Sequence, residues 1–191
     1  IVFYCAAGIK APVQEIARHY ETEYGVPVQI QFGGSGTLLS NLQVSQQGDL
    51  FLAADDSYLE KARQRGLVQE TLPLASMQPV IAFPKGNPQN IQSLQDLLKP
   101  NISLALGNPD AAAIGRIVKH ELSQAGLWTQ LQERVKVYKP TVNEIANDLK
   151  IGSVNAGIIW DTIANQYPEI DYVKVPAWKH AAQDVTIGVL K

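Results

Sequence analysis

The sequence predicts an α/β fold built as two lobes, and three observations carry that prediction. Apolar, β-rich runs alternate with amphipathic helical stretches through most of the chain. The strand–helix order repeats three times before "PVIAFPKGNP", and a second, similar set follows it. The chain has 191 residues, of which 46% are hydrophobic and 18% charged, enough for one sizeable domain or two small lobes with a buried core.

The elements follow in chain order. "IVFYCAA" reads as a strand and leads into a helix over residues 11–24, with Val13, Ile16, Ala17 and Tyr20 predicted on its buried face. Pro12 suits the first turn of that helix and Gly25 its end. "PVQIQFG" alternates Val28, Ile30 and Phe32 as a strand does. "GGSGT" then turns into a helix, "DLFLAAD" forms a short buried strand, and "YLEKARQRG" is a helix closed by Gly66. "PVIAFPKGNP" interrupts the alternation with a strand and a Pro/Gly turn.

The second set runs through "SLQDLLK" (helix), "ISLALGNP" (strand) and "AAAIGRIVKHELSQAG" (helix). It continues with "RVKVYKP" (strand), "TVNEIANDLKIG" (helix) and "AGIIWD" (strand). Parallel sheets with helices on both faces are expected, with the lobes joined near Ser76 to Ile81. The boundaries are residues 1–77 for the first lobe, 78–175 for the second, and 176–191 for a return crossing toward the first.

Composition narrows the function. Sixteen basic against eighteen acidic residues leave a net charge of −2, which offers no electrostatic footprint for nucleic acid. No apolar run approaches the roughly 18 residues that a membrane span needs. The single cysteine, Cys5, lies in an apolar run and reads as a buried structural thiol; an internal disulfide and a Cys-rich zinc site are excluded. Both ends of the sequence fall in or beside strand-like runs, and both are expected to be trimmed, as in a chain whose leader has been removed.

The recurrent feature is a strand-to-helix corner furnished with small residues. It occurs at "AAGIKAP" (6–12), "GGSGT" (33–37), "GNPDAAAIG" (107–115) and "KPTVNE" (139–144). A helix start has unsatisfied N–H groups and a partial positive charge, so it binds an anion without any Lys or Arg. Each corner also has a structural explanation. Thr141 with Glu144 forms a T-x-x-E capping box, and "GNPDA" is compatible with an ordinary turn and cap. "GGSGT" carries more glycine than a cap requires, which favours a ligand there. It lacks the Lys-Ser/Thr of a nucleotide loop and does not match the dinucleotide fingerprint.

Catalysis finds little support. Ser35 is the one attractive nucleophile, but its glycines sit at the wrong offsets for a nucleophile elbow. His19, His120 and His180 stand without a surrounding motif, Asp55-Asp56 reads as a polar helix start, and H-E-x-x-H spacing is missing. A serine-dependent hydrolase or transferase using Ser35, and a sensory effector-binding domain, are the alternatives to a binding protein.

The ordering "CAAGI", "FGGSGTL", "GDLFLAADDSYLEKARQRGLV", "LALGNPDAAAIG" and "AGIIWD" resembles the periplasmic molybdate- and tungstate-binding proteins of ABC transporters, across nearly the whole chain. The resemblance implies a type II two-lobed solute-binding fold with a hinge of two crossing strands. It further implies a tetrahedral oxyanion, molybdate or tungstate, held in the interlobe cleft by neutral donors. By position the implied ligand residues are Gly8, Ser35, Gly36, Ile114, Val142, Trp160 and Asp161. Gly8 replaces a serine hydroxyl common in the family, and Trp160 a tyrosine; an indole N–H donates one hydrogen bond and accepts none.

Asp161 reads either as the N-cap of the following "TIANQY" helix or as a functional carboxylate. In the second case it accepts a proton from a protonated anion or, with Glu144 as the other candidate, ligates the metal of the oxyanion. No free metal ion and no cofactor are expected. A monomer that delivers its solute to a membrane permease is implied, periplasmic or extracellular, with any membrane anchor outside this segment. The one or two C-terminal helices of the family are absent from this segment.

Overall fold

The computed structural model describes residues 1–191, which divide into two compact units. Unit 1 comprises Ile1–Ser76 and Gln183–Lys191, and unit 2 comprises Met77–Ala182. The chain therefore crosses after Ser76 and returns after Ala182. Pro176–Ala181, predicted as part of the return, is a 3-10 turn of unit 2, where Trp178 is only 2% exposed and the turn packs on the helix Ala113–Gln124.

In unit 1, β1 (Val2–Ala6) is followed by a 3-10 turn (Ala7–Ile9) and α1 (Lys10–Tyr24). Then come β2 (Gln29–Gly33), α2 (Ser35–Ser45), β3 (Leu50–Leu52), α3 (Asp56–Gln64) and β4 (Val68–Met77). The final strand of the chain, β10 (Gln183–Leu190), completes a sheet of order β2-β1-β3-β10-β4. β1 runs parallel to β2 and β3, as the alternation predicts, but β10 is antiparallel to β3. Phe3, Tyr4, Cys5, Phe51 and Leu52 are buried in the core of the unit, where α1 and α2 pack on β1 and α3 packs on β10. Burial pushes the Cys5 thiol up to about 12, so it is inert at neutral pH.

Two differences from the sequence prediction have physical causes. On α1, Val13 and Ala17 are buried, yet Ile16 is 67% and Tyr20 37% exposed. The helix flanks the edge strand β2, and an open groove lined by Gln14, Arg18, Glu21, Val28 and Ile30 separates them, so only a narrow stripe is covered. Tyr20 packs instead on Tyr24, with ring centroids 4.7 Å apart. Residues 68–77 carry no predicted element, yet β4 forms there; it is an outer strand, exposed from Gln69 to Ser76, which lets it accommodate Pro73.

Unit 2 opens with β5 (Pro79–Pro84) and then a 3-10 turn at Leu94–Leu98 where a short helix is predicted. Ser93 and Asp96 form a reciprocal capping box at its start. The unit continues with β6 (Leu104–Gly107), α4 (Ala113–Gln124), α5 (Trp128–Gln132), β7 (Val135–Lys139) and α6 (Val142–Lys150). β8 (Ala156–Trp160), α7 (Asp161–Ala164) and β9 (Ile170–Lys174) follow. Its sheet has the order β7-β6-β8-β5-β9, with β6 parallel to β7 and β8, and β5 antiparallel to β8 and β9. Val80, Ile81, Leu104, Ala105, Ile145, Leu149, Ile158 and Ile159 are fully buried in its core.

Both sheets share one plan: three parallel strands in the order second, first, third, followed by an antiparallel strand. That antiparallel strand is supplied in each unit by the segment just after a crossing, β5 in unit 2 and β10 in unit 1.

Candidate functional site

The shared plan places strand-to-helix corners at the carboxyl ends of parallel strands, where ligands bind in open α/β sheets. In unit 1 the register pairs Ala6 with Gly33 and Cys5 with Leu52, so the corners after β1, β2 and β3 lie along one sheet edge. Gly8 is buried in the 3-10 turn after β1. At the next corner Gly34 is the N-cap of α2 and supplies no side-chain hydrogen bond. The first intrahelical bond runs from Leu38 N–H to Gly34 C=O at 2.9 Å, so the N–H groups of Ser35, Gly36 and Thr37 precede the helical ladder.

Ser35 is 1% exposed. Its Oγ accepts a hydrogen bond from the Ala54 N–H at 3.0 Å. That bond ties the α2 start to the end of β3 and occupies a lone pair, which leaves the Ser35 O–H to donate. The adjoining Asp55 caps α3, accepting from Ser57 N–H at 2.8 Å and from Ser57 Oγ at 3.0 Å, as a polar helix start should.

In unit 2 the register pairs Gly107 with Lys139 and Ala105 with Gly157, and Asn108 N–H donates to Lys139 C=O at 2.7 Å. Ile114 is the second residue of α4 and 1% exposed; the Ala112 cap offers no side-chain bond. The glycines of this corner are explained by packing. A Cβ on Gly115 would lie 2.4 Å from the Gly107 carbonyl oxygen, so helix and strand meet backbone to backbone.

Val142 opens α6 and is 5% exposed. Its cap Thr141 accepts from Glu144 N–H at 3.4 Å and donates to Glu144 Oε1 at 2.8 Å, so Glu144 is engaged in the cap. Trp160 ends β8 and is 1% exposed. It is the N-cap of α7; Asp161, predicted as either cap or functional carboxylate, is instead the first helical residue. Asp161 Oδ1 accepts from Gln78 N–H at 3.0 Å and from Thr162 N–H at 2.9 Å.

Thus Gly8, Ser35 and Gly36 stand at corners of unit 1, and Ile114, Val142, Trp160 and Asp161 at corners of unit 2. The sequence signals missed the Ala54 N–H, because its bond to Ser35 spans 19 residues and depends on sheet register. Lys139, at the end of β7, pairs with Asp148 at 3.0 Å. No group of three or more His, Cys, Asp or Glu is arranged to hold a metal ion. His19 pairs with Glu15 at 3.1 Å and His180 with Glu121 at 2.9 Å. No helix is long and apolar enough to cross a membrane.

A family model described as bacterial extracellular solute-binding protein matches residues 1–191. A Haemophilus influenzae relative is 30% identical over 192 residues, spanning all of this chain and 78% of that protein. The molybdate-binding protein ModA of Mycobacterium tuberculosis is 23% identical over 194 residues, spanning all of this chain and 72% of that one. Among solved structures, the Azotobacter vinelandii periplasmic molybdate-binding protein superposes with a TM-score of 0.82 at 19% identity, over 100% of this chain and 85% of that chain. The Mycobacterium tuberculosis sulfate-binding protein SubI gives 0.82 at 16% identity, over 100% and 75%. AfuA from Actinobacillus pleuropneumoniae, with fructose-6-phosphate bound, gives 0.83 at 14% identity, over 100% and 73%.

Proposed function

The chain belongs to the bacterial extracellular solute-binding protein family, and from that premise we propose that it captures a tetrahedral oxyanion, molybdate or tungstate first, for an ABC importer. One observation carries this reading: the glycine-rich start of α2, uncapped by any side chain, beside a buried Ser35 whose hydroxyl is oriented by the Ala54 amide. The relatives' solutes support the ligand class. Molybdate, sulfate and a sugar phosphate all present tetrahedral oxygens, although their central atoms differ.

The proposed donors are neutral. Ser35 O–H and Gly36 N–H come from unit 1, the N–H groups of Ile114 and Val142 from unit 2, and Trp160 contributes its indole N–H. Dehydrating an anion is costly unless its oxygens are rebonded, so a single donor does not suffice. Gly8 adds no hydroxyl, and discrimination between molybdate and the smaller sulfate follows from cavity size. Ser35 Oγ accepts from the Ala54 N–H, and in this reading Ser35 serves as a hydrogen-bond donor to a solute that is carried unchanged. The proposal includes no cofactor, a monomer, a membrane permease as partner, and a periplasmic or extracellular location with any anchor outside this segment.

Thermal melts with added anions test the reading. A ligand at a hundred times its Kd stabilises the folded state by about 2.7 kcal/mol. Molybdate and tungstate are expected to raise the melting temperature more than sulfate or phosphate, and a neutral sugar should not raise it. If no oxyanion shifts the melt of the folded protein, the oxyanion proposal fails.

A further inference from the structure

Asp161 lies one residue past the ladder pair Pro79–Trp160, where β8 turns into α7. The next pair along that antiparallel ladder is Gln78 with Asp161, and it is joined in an unusual way. Asp161 N–H donates to Gln78 C=O at 2.9 Å, as a continuing ladder requires. The reciprocal bond would run from Gln78 N–H to the Asp161 carbonyl. That carbonyl has turned into the helix and accepts from Asn165 N–H at 3.0 Å. Asp161 Oδ1 takes its place, accepting Gln78 N–H at 3.0 Å and the orphan Thr162 N–H of the helix start at 2.9 Å.

Gln78 is the second residue after the chain enters unit 2, and β5 begins at the next one. We propose that Asp161 is a positioning residue whose side-chain oxygen substitutes for a backbone carbonyl, fixing the entering segment Met77–Pro79 to the β8–α7 corner that carries Trp160. This role needs an oxygen acceptor and not a negative charge. It assigns Asp161 a task other than proton acceptance from the anion or ligation of its metal. Asparagine presents the same acceptor; alanine does not.

Amide hydrogen exchange on the ligand-free protein tests the geometry. With Asp161→Ala the Gln78 amide should exchange at least about tenfold faster, while the amides of Ile81 and Ile158 keep their protection. With Asp161→Asn it should stay within about threefold of the wild type. Unchanged Gln78 exchange in the alanine variant, or lost protection in the asparagine variant, overturns the proposal; if the alanine variant does not fold, the asparagine variant alone decides.

A second arm uses molybdate and rests on the oxyanion reading above. Asp161→Asn should match the wild-type affinity within about threefold over roughly two pH units around neutrality, and Asp161→Ala should bind at least about tenfold more weakly. An asparagine variant as weak as the alanine variant, or an alanine variant that binds like the wild type, contradicts the positioning role. Wild-type protein that ignores molybdate counts against the oxyanion reading, and the exchange arm still decides the role of Asp161.

Discussion

Ser35 is buried at a helix start and accepts a hydrogen bond from a backbone amide, so its removal should have two separable effects. Ser35→Ala should weaken the preferred oxyanion by about 1–3 kcal/mol, since a buried oxygen loses its donor. It should also lower stability, because the Ala54 N–H loses the acceptor it now has at 3.0 Å. Titration and denaturant melts read the two effects independently, and an unchanged affinity would remove Ser35 from the site. Asp56 illustrates a cost. Burial raises its carboxyl above the usual range, Thr186 Oγ donating at 3.0 Å opposes that rise, and Asp184 and Asp55 add repulsion. A raised carboxylate is most stabilising below its ordinary pKa and loses that contribution as pH rises through the folded value. Asp56→Asn, which retains an acceptor for Thr186, should therefore be more stable than the wild type at neutral pH, with the difference shrinking toward pH ~4. A difference independent of pH in chemical melts would contradict this assignment. The positions of the corners were legible in the sequence, since Gly, Ser and Thr between a strand-like and a helix-like run mark a turn and a helix start. The partners were not: the bonds of Ser35 to Ala54 and Asp161 to Gln78 arise only once sheet register is set.

Elements were legible where periodicity and punctuation agreed. Gly25, with φ of 67°, ends α1 by donating to Glu21 C=O at 2.9 Å, as its position after a helical run implies. β4 and the five-residue α5 escaped because neither shows a clean period, and exposure removes the hydrophobic alternation that marks a strand. Nor can a helical face be read where its sheet ends, which is why Ile16 stands in solvent. Packing between elements makes a sharper prediction. Gly115→Ala places a methyl 2.4 Å from the Gly107 carbonyl oxygen, a backbone atom that cannot yield, and should cost about 1–3 kcal/mol or more. Gly188→Ala meets Leu59 Cδ1 at 2.6 Å, the far end of a flexible side chain, and should cost less. Equal destabilisation of the two variants in urea melts would argue against backbone contact as the reason for Gly115.

At the scale of the whole chain, unit 2 is continuous in sequence and unit 1 is not. All five strands of the unit 2 sheet lie within residues 77–182. That fragment should melt cooperatively on its own, whereas residues 1–76 lack β10, which separates β3 from β4, and should not. A fragment 77–182 without a cooperative transition would contradict the division. The alternation of elements exposed the two-unit plan, but it could not reveal that each sheet borrows its antiparallel strand from a crossing, because strand direction is a property of long-range pairing. Calorimetric titration of the intact chain with molybdate, tungstate, sulfate, phosphate and a neutral sugar tests oxyanion capture most directly. Saturable one-to-one binding of molybdate or tungstate, tighter than sulfate and absent for the sugar, is the predicted result. Heats indistinguishable from dilution for every oxyanion, with protein shown to be folded, would contradict it.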